Sequence, residues 1–485
     1  MNGARFALDP TDMPALIRTV GGWPGADQYP PLELRRVDVA EDAFARLGGV
    51  LAELAPDARE VLVVQDDTSM RRAGADLKRG VVEGLAGAGL EVGVCELAGG
   101  ADGSLHAEFE RLDEVMERLR PGVPVIALGS GIVTDLAKHA CFTHEERTGE
   151  HLALVFCPTA LSVLAYSTRM AVIAKDGVKR TWPSRLSDAL VFDLTALAGA
   201  PRHLTLAGFG DLAPMFTSFA DWRLGEALGL ARFFEPSRRI LEDVRAHFSD
   251  VAALLHEGAQ DGLAMLAKMN VLGGLSVTLA DESAPLSGYE HVIGHMLDMG
   301  SEHFNRRLAD HGAQVGVALI PHAIAFDALV RELDPDRVDL ERCYPSAREM
   351  ETVVRDTFAE IDPSGQMAEE CWSDYATKLE AWRGARERFE AFLADWPRER
   401  ERLSRLLTPP EEAVRVLAAA GAPLHFPELD PPVSDREGRW AFEHAHLMRK
   451  RFSAGDLYYL LGWLDQGFGD RVFARRDELV GAAGA

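Results

Sequence analysis

Short apolar runs alternate with amphipathic stretches along the first part of the chain. The strand-like runs are Glu60–Gln65, Glu91–Leu97, Val123–Leu128 and His151–Phe156. The helical stretches Met70–Ala88 and Glu108–Leu119 lie between the first three of them. A strand buried on both faces has a short continuous apolar run, whereas a helix on a sheet repeats its apolar positions about every 3.6 residues. This alternation is typical of a parallel, doubly wound α/β sheet.

The segments around this alternation are less regular. Residues 1–40 are rich in proline and glycine and then charged, and they predict an edge segment that leads into a first helix near Glu41–Leu54. Two further apolar runs, Met170–Ala174 and Ala189–Phe192, follow the last predicted strand. The polar stretch from Lys175 to Arg180 predicts a hairpin or turn between them.

After Pro201, and to the end of the chain, the apolar positions repeat with the spacing of a helix. The helical stretches are 207–224, Phe233–Phe248, Ala252–Ala280, 287–298 and Ala441–Leu464. Residues 325–410 are rich in Arg, Glu and Trp at helical spacing and predict an extra pair or trio of helices laced with surface charges. We therefore predict an α/β domain at residues 1–200 and an all-α domain at residues 201–485.

Composition restricts the partners of the protein. The chain of 485 residues carries 51 basic and 76 acidic side chains, a net charge of −25. A nucleic-acid partner is not expected, because phosphate backbones need a basic face. The five cysteines form no CxxC pair, which suggests a reducing compartment. The N-terminus lacks the core of a signal peptide and no run of 18 apolar residues occurs, so we expect a cytoplasmic protein with no membrane partner.

A glycine-rich turn follows the predicted strand at Val123–Leu128. It reads Gly129-Ser130-Gly131-Ile132-Val133-Thr134-Asp135 and leads into a helix that contains Lys138. Free N–H groups at such a turn, with a helix dipole behind them, can bind a phosphate. The turn departs from the GxGxxG fingerprint, because Thr134 occupies the third glycine position. These residues alone are compatible with two interpretations, a nucleotide-binding site and a simple strand-to-helix turn.

Three histidines point to a metal. His291 and His295 are four residues apart, which places them on one face of a helix with Cβ atoms about 5–6 Å apart. A polar turn separates this helix from His311. Imidazoles that converge on one point bind a divalent cation and a polar ligand beside it. The alternative is that the two helical histidines form only a half-exposed polar edge.

Several motifs occur in order along the chain. They are the glycine turn with Asp135 and Lys138, Pro158–Ser162, Gly177-Val-Lys179 with Pro183 and Asp193, Gly208–Asp211 with Asp221-Trp222-Arg223-Leu224, Ser287–His295, His311–Gly316, and Gly421–Pro423 with Arg451–Leu457. Together they resemble the motifs of sn-glycerol-1-phosphate dehydrogenases, in the superfamily of iron-containing alcohol dehydrogenases and 3-dehydroquinate synthases. The resemblance covers about Val61 to Leu464.

The resemblance implies a fold, a reaction and a set of site residues. The fold would be a Rossmann-like N-terminal domain that binds the dinucleotide and a helical C-terminal domain that binds the metal, with the active site in the cleft between them. By match, Asp211, His291 and His311 would be the metal ligands, Asp211 would also touch the substrate, and His295 would lie beside the substrate. The cofactor NAD or NADP would contact Gly129, Ser130, Gly131, Ile132, Val133, Thr134, Asp135, Thr159, Ser162 and Thr168. A homodimer is also expected.

One departure from the family concerns the substrate. After PTxxS the family continues with an aspartate that contacts substrate, and Leu164 stands in its place here. A leucine cannot accept a hydrogen bond from a substrate hydroxyl. A related hydroxylated or phosphorylated compound is therefore the alternative to the expected pair of dihydroxyacetone phosphate and sn-glycerol 1-phosphate. Lys138 and Lys179 are the first candidates to bind a phosphate, and Arg169, Arg180 and Arg185 are others.

The expected chemistry is hydride transfer at a carbonyl polarised by the metal. One carboxylate and two imidazoles leave coordination positions open, and this ligand set suits zinc first, with nickel or ferrous iron as alternatives. Asp66 has two candidate roles. It either contacts the adenosine ribose of the cofactor, which would favour NAD, or caps the N-terminus of the following helix. A metal- and NAD-dependent cyclase or lyase of the dehydroquinate synthase type is the alternative enzyme, although that group has glutamate where Asp211 stands. A non-catalytic nucleotide-binding relative is the third possibility.

Overall fold

The structure, a computed structural model, describes residues 6–100, 105–175 and 178–483, without the side chains of residues 178 and 179. Two compact units divide the chain. The first contains Met1–Phe209 and Arg239–Glu282, and the second contains Gly210–Arg238 and Ser283–Ala485. A boundary near residue 200 between a dinucleotide-binding and a metal-binding domain stays a prediction about function.

The first unit is built on a parallel sheet. The strands of the described chain are β1 (Arg36–Ala40), β2 (Glu60–Asp66), β3 (Arg71–Arg72), β4 (Ala75–Asp76), β5 (Glu91–Leu97), β6 (Val125–Gly129), β7 (Leu154–Pro158), β8 (Met170–Lys175), β9 (Val178–Pro183) and β10 (Ala189–Asp193). Six of them pair in the order β1-β10-β7-β6-β2-β5, all parallel. Every residue of β6, β7 and β10 is buried, because helices cover both faces of a parallel sheet.

The predicted α/β class is confirmed, and the strand-like runs lie within one to three residues of the observed strands. The prediction for Met170–Phe192 was only partly right. The hairpin partner of β8 is β9, with Lys175 opposite Val178; residues 176 and 177, where the turn was predicted, lie outside the described chain. The run at Ala189–Phe192 instead pairs with β1 and β7 in the main sheet. The predicted edge segment is therefore β1, at one end of that sheet.

Helices complete both units. In chain order they are α1 (Met13–Gly21), α2 (Leu47–Leu54), α3 (Leu77–Gly87), α4 (Arg111–Met116), α5 (Gly131–Thr148), α6 (Leu194–Leu197), α7 (Arg202–Leu212), α8 (Ser218–Ala227), α9 (Glu235–His256), α10 (Gln260–Ala280), α11 (Tyr289–Gly300), α12 (His311–Glu332), α13 (Ala347–Ile361), α14 (Gln366–Gly384), α15 (Arg386–Ala394), α16 (Trp396–Leu406), α17 (Pro410–Ala420), α18 (Asp435–His444), α19 (Ala454–Leu460) and α20 (Phe468–Ala483).

Two predicted helices differ from the observed ones for local reasons. The helix expected from Met70 begins only at Leu77, because residues 71–76 form the β3–β4 hairpin and the Asp76 side chain caps α3. The helix expected over Ala441–Leu464 is interrupted between α18 and α19. Ser453 and Asp456 form a capping box that starts α19 anew.

The helices of the second unit follow the predicted patterns. The segment 325–410 forms α13 to α16 together with the end of α12, and ion pairs such as Arg355–Glu351 and Arg405–Glu401 lie along its exposed faces as expected.

The helices α10 and α12 are long and apolar enough to cross a membrane, but 72% and 83% of their most apolar windows are buried inside the structure. This burial is typical of core helices.

Candidate functional site

Three predicted metal ligands lie together in the second unit. They are Asp211 near the end of α7, His291 in the first turn of α11 and His311 at the start of α12. The His291 Nε2 atom lies 3.4 Å and the His311 Nε2 atom 4.0 Å from Asp211 Oδ1, and the ligand atoms of all three lie within 4.8 Å of one another. An ion with bonds of about 2.0–2.2 Å separates its tetrahedral ligands by roughly 3.4 Å. The donor set and its spacing therefore fit one divalent cation.

A close approach of two helices brings these ligands together. A Cβ atom on Gly210 would lie only 2.3 Å from the Gly312 carbonyl oxygen, and one on Gly316 would lie 3.2 Å from the Gly210 Cα atom. Only glycines allow α7 and α12 to pack at this distance. Asp211 and His311 are the immediate neighbours of Gly210 and Gly312, so the packing of backbone on backbone sets their separation.

Glu290 lies beside His291, one of the predicted metal ligands. Its Oε1 atom accepts from the Gly288 N–H at 2.6 Å and lies 3.4 Å from His291 Nδ1, while its Oε2 atom accepts from Thr217 Oγ1 at 3.1 Å. A carboxylate at Nδ1 leaves Nε2 to face Asp211, as in the carboxylate–histidine pairs of metal sites. Burial opposes the charge of Glu290, but His291 and His322 hold the pKa of its carboxyl far below the usual value.

Two further buried groups extend this network. His322 Nδ1 lies 2.6 Å from Glu290 Oε2, and its Nε2 atom lies 3.9 Å from Asp221 Oδ2. Asp221 accepts from the N–H groups of Tyr289 and Ala454, and burial raises its pKa to about 6. Burial lowers the pKa of His291, but its bonds to Asp211 and Glu290 outweigh this and leave the pKa raised. Sequence reasoning assigned no role to Glu290, Asp221 or His322, although the first two lie in the quoted motifs.

His295 lies one helical turn beyond His291. Its ring centroid is 5.0 Å from that of His311 and 6.5 Å from that of His291, and its side chain is half-buried. His295, Asp298 and His311 also offer ligand atoms within 4.8 Å of one another. Gln314 donates to Asp298 Oδ1 at 2.8 Å and fixes that carboxylate. His295 is thus adjacent to the three predicted metal ligands.

The glycine-rich turn lies in the first unit, between β6 and α5. A Cβ atom on Gly129 would lie 2.6 Å from the Val133 side chain, and one on Gly131 would lie 2.9 Å from that of Val163. Five of the predicted cofactor contacts are half-buried and can be reached by a ligand, namely Asp66, Ser130, Gly131, Ile132 and Ser162. The other predicted contacts at the turn, Gly129, Val133, Thr134, Asp135 and Thr159, are buried.

Several predicted ligand contacts bond within the first unit. Thr134 Oγ1 donates to the carbonyl of Gly131 at 2.8 Å, and Thr168 Oγ1 donates to that of Met170 at 3.0 Å. Asp135 Oδ2 accepts from the Val172 N–H at 3.2 Å. The ammonium of Lys138 is fully buried, donates to the Ala165 carbonyl at 2.8 Å and lies 3.1 Å from Asp135. The predicted roles of these residues toward cofactor and substrate stay predictions.

The remaining predicted contacts have mixed positions. Asp66 ends β2, where Lys78 and Thr68 donate to its carboxylate, and the N-cap of the following helix is Asp76 instead. The side chain of Lys179 lies outside the described part of the chain. Leu164, the departure from the family, is 7% exposed and packs in the apolar core.

Arg185 and Arg169 were candidate phosphate contacts at the sequence level. Arg185 is buried and donates to Asp188, Glu145 and the Leu152 carbonyl. These bonds satisfy its guanidinium inside the first unit. Arg169 is half-buried before β8. The role of either arginine toward a phosphate stays a prediction.

Comparison with solved structures defines the class of the fold. The structure of glycerol dehydrogenase from Schizosaccharomyces pombe matches with a TM-score of 0.53 at 14% identity, over 92% of both chains. A family model described as iron-containing alcohol dehydrogenase matches residues 38–201. The fold is that of the iron-containing alcohol dehydrogenases.

Curated relatives narrow this class. A glycerol-1-phosphate dehydrogenase [NAD(P)+] of Bacillus subtilis (strain 168) is 26% identical over 398 residues, which are 81% of this chain and 83% of the relative. One of Thermofilum pendens (strain DSM 2475 / Hrk 5) is 30% identical over 288 residues, 59% of this chain and 76% of the relative. The chain belongs to the glycerol-1-phosphate dehydrogenase family, as its motifs predicted.

Proposed function

We propose that the protein is an NAD(P)- and metal-dependent oxidoreductase that interconverts dihydroxyacetone phosphate and sn-glycerol 1-phosphate, or a closely related pair of ketone and secondary alcohol. The observation that carries this proposal is the cluster of Asp211, His291 and His311, held by paired glycines and oriented by Glu290. The names of the relatives support the reaction and the cofactor.

The chain supplies the following parts of the chemistry. Asp211 Oδ1 and the Nε2 atoms of His291 and His311 would hold the cation. A divalent cation supplies Lewis-acid polarisation of a carbonyl oxygen, and a nicotinamide supplies the hydride. His295 has a half-buried imidazole beside the cluster, so it can donate a hydrogen bond to a substrate hydroxyl and pass a proton to water. The proposed metal is zinc first, then nickel or ferrous iron.

The half-buried residues of the glycine-rich turn would receive the cofactor. Ser130, Gly131, Ile132 and Ser162 border the N-terminus of α5, whose 18 residues place a helix dipole behind a pyrophosphate. Asp66 at the end of β2 would bond a ribose hydroxyl and so favour NAD. We also propose that the enzyme is cytoplasmic and dimeric.

The test compares metal-free and metal-restored protein in NAD(P)H oxidation with dihydroxyacetone phosphate. We expect activity only after metal is restored, with one cofactor oxidised for each ketone reduced. The variants Asp211→Ala and His291→Ala should lose both bound metal and turnover. His303→Ala is the matched control, because His303 is an exposed histidine of the same unit. Full metal content in the first two variants would refute the ligand set, and turnover without net cofactor oxidation would favour a cyclase or lyase.

A further inference from the structure

A buried histidine lies behind the proposed metal ligands. His322 is on α12, eleven residues after His311, and 0% of its surface is exposed. Eleven residues make about three turns of an α-helix, so the two histidines lie on nearly the same face of α12. The rings of Tyr289 and Phe326 pack against the His322 imidazole, with centroids 5.8 Å and 5.9 Å away. This packing holds the imidazole in one orientation.

The shortest contact of His322 is with the carboxylate of Glu290. His322 Nδ1 lies 2.6 Å from Glu290 Oε2, and both side chains are fully buried. Thr217 Oγ1 donates to the same oxygen at 3.1 Å, and the Gly288 N–H donates to Oε1 at 2.6 Å. Both oxygens of Glu290 therefore act as acceptors, as in an ionised carboxylate, and His322 Nδ1 supplies a third donor.

The other nitrogen of His322 has a more distant partner. Its Nε2 atom lies 3.9 Å from Asp221 Oδ2, which is too long for a hydrogen bond. The Asp221 carboxylate is held by the N–H groups of Tyr289 and Ala454, at 2.9 Å and 2.7 Å. The donor function of His322 therefore lies on Nδ1 and is directed at Glu290.

Glu290 connects His322 with His291. The carboxylate oxygen that His322 does not contact, Oε1, lies 3.4 Å from His291 Nδ1. Because a carboxylate is rigid, fixing Oε2 also fixes the position of Oε1. On the far side of the His291 ring, Nε2 lies 3.4 Å from Asp211 Oδ1. A row of His322, Glu290 and His291 thus ends at the atoms that would hold the ion.

Groups of this kind control how a histidine binds a metal. A partner behind a ligating histidine fixes its tautomer and ring orientation, and losing such a partner typically weakens metal binding by about 10- to 100-fold. We propose that His322 is a positioning residue of the metal site, whose Nδ1–H holds Glu290 in place so that Oε1 accepts from His291 Nδ1 and His291 Nε2 faces the ion. This inference rests on the proposed function for the presence of the ion.

The experiment compares two replacements of His322 in the full-length protein. Asparagine and leucine branch at the same carbon and are similar in size, but only asparagine has a nitrogen donor on Cγ, where histidine has Nδ1. His322→Leu should weaken Zn²⁺ binding roughly 10-fold in competition with a chelator, and His322→Asn should recover most of this loss. The visible absorption spectrum of bound Co²⁺, which depends on coordination geometry, should change in His322→Leu and keep its wild-type form in His322→Asn.

Two further variants separate positioning from folding. His446→Leu removes another buried histidine of the second unit, whose ring lies 4.8 Å from that of Tyr459. Whatever its effect on the free energy of unfolding, it should keep the wild-type affinity for Zn²⁺. Thr217→Val removes the second side-chain donor to Glu290 Oε2 and should weaken Zn²⁺ binding less than His322→Leu, because its bond is longer.

Three results would overturn the proposal. Wild-type Zn²⁺ affinity in His322→Leu would show that Glu290 keeps its place without this donor. An equal loss in His322→Leu and His322→Asn would show that only the volume of the imidazole matters. An equal loss in His446→Leu would indicate a general loosening of the core. If leucine at position 322 prevents folding, Thr217→Val decides, and wild-type affinity in that variant overturns the proposal.

A failure of the proposed function gives a different pattern. A wild type that binds Zn²⁺ but does not reduce dihydroxyacetone phosphate contradicts the proposed reaction, and the affinities of the His322 variants still decide the role of this residue. A wild type that binds no Zn²⁺ contradicts both proposals.

Discussion

Replacing Gly210 by alanine tests whether the contact between α7 and α12 holds the proposed metal ligands together. The new Cβ atom would lie 2.3 Å from the Gly312 carbonyl oxygen, whereas carbon and oxygen atoms in contact are about 3.3 Å apart. The backbones must therefore separate by about 1 Å. The distance between Asp211 Oδ1 and His311 Nε2 is 4.0 Å, and it would become about 5 Å. One ion with bonds of about 2.2 Å spans at most roughly 4.4 Å.

We expect Gly210→Ala to weaken metal binding by roughly 100-fold or more, because even residues behind the ligands contribute 10- to 100-fold. Overpacking costs about 1–3 kcal/mol of folding stability, and alanine returns about 1 kcal/mol of helix propensity. The metal-free variant should therefore be less stable than the metal-free wild type by about 0–2 kcal/mol. Metal affinity is measured by competition with a chelator, and stability by denaturant unfolding.

Gly84→Ala in α3 is the matched control, because a Cβ atom there would meet no atom within 4 Å. It should raise stability by up to about 1 kcal/mol and leave metal affinity unchanged. Wild-type metal affinity in Gly210→Ala would refute the reasoning, since it would show that the helices need not approach so closely for the ligands to converge.

Three further changes test other parts of the structure. Glu290→Gln should weaken metal binding roughly 10- to 100-fold, because His291 loses the carboxylate beside its Nδ1 atom. Competition with a chelator measures the affinity, and wild-type affinity in this variant would argue against an orienting role for Glu290. Asp188 raises the pKa of His151 above 6.5, so their ion pair stabilises the fold below that pH and the contribution disappears as the pH rises through the raised pKa. His151→Gln should therefore lower the free energy of unfolding by up to about 1 kcal/mol at pH 5.5 and by less at pH 9, as measured by denaturant unfolding. An equal loss at both pH values would contradict this explanation. Leu164→Asp should destabilise the protein by at least about 2 kcal/mol in the same assay, because the side chain is buried; wild-type stability with faster reduction of dihydroxyacetone phosphate would instead show a substrate contact.

The sequence predicted what depends on local pattern. The apolar run of β2 gave the strand position closely, because a strand covered on both faces needs continuous apolar side chains. The helical spacing of His291 and His295 predicted one face of α11 correctly. Asp211 lies far from both histidines in the chain, and only the resemblance of the motifs connected it with them.

What escaped prediction depends on tertiary packing. β10 pairs with β1 and with β7, and β1 lies far from it in the chain. The local sequence of a strand does not show which distant strand it will pair with. The sequence also gave no sign that the ammonium of Lys138, near the glycine-rich turn, is fully buried and lies 3.1 Å from Asp135. The role of Glu290 depends on the convergence of Thr217, His322 and His291 around it, and that convergence requires the folded helices.

The three proposed metal ligands come from three helices, so an ion bound to them would tie together distant parts of the chain. An ion present at 100 times its Kd would stabilise the folded state by about 2.7 kcal/mol, which reduces the population of opened molecules roughly 100-fold. Proteases cleave such opened molecules. In a cell short of the metal, the enzyme would lose its resistance to degradation together with its activity, and its abundance would follow the metal supply without any dedicated regulator.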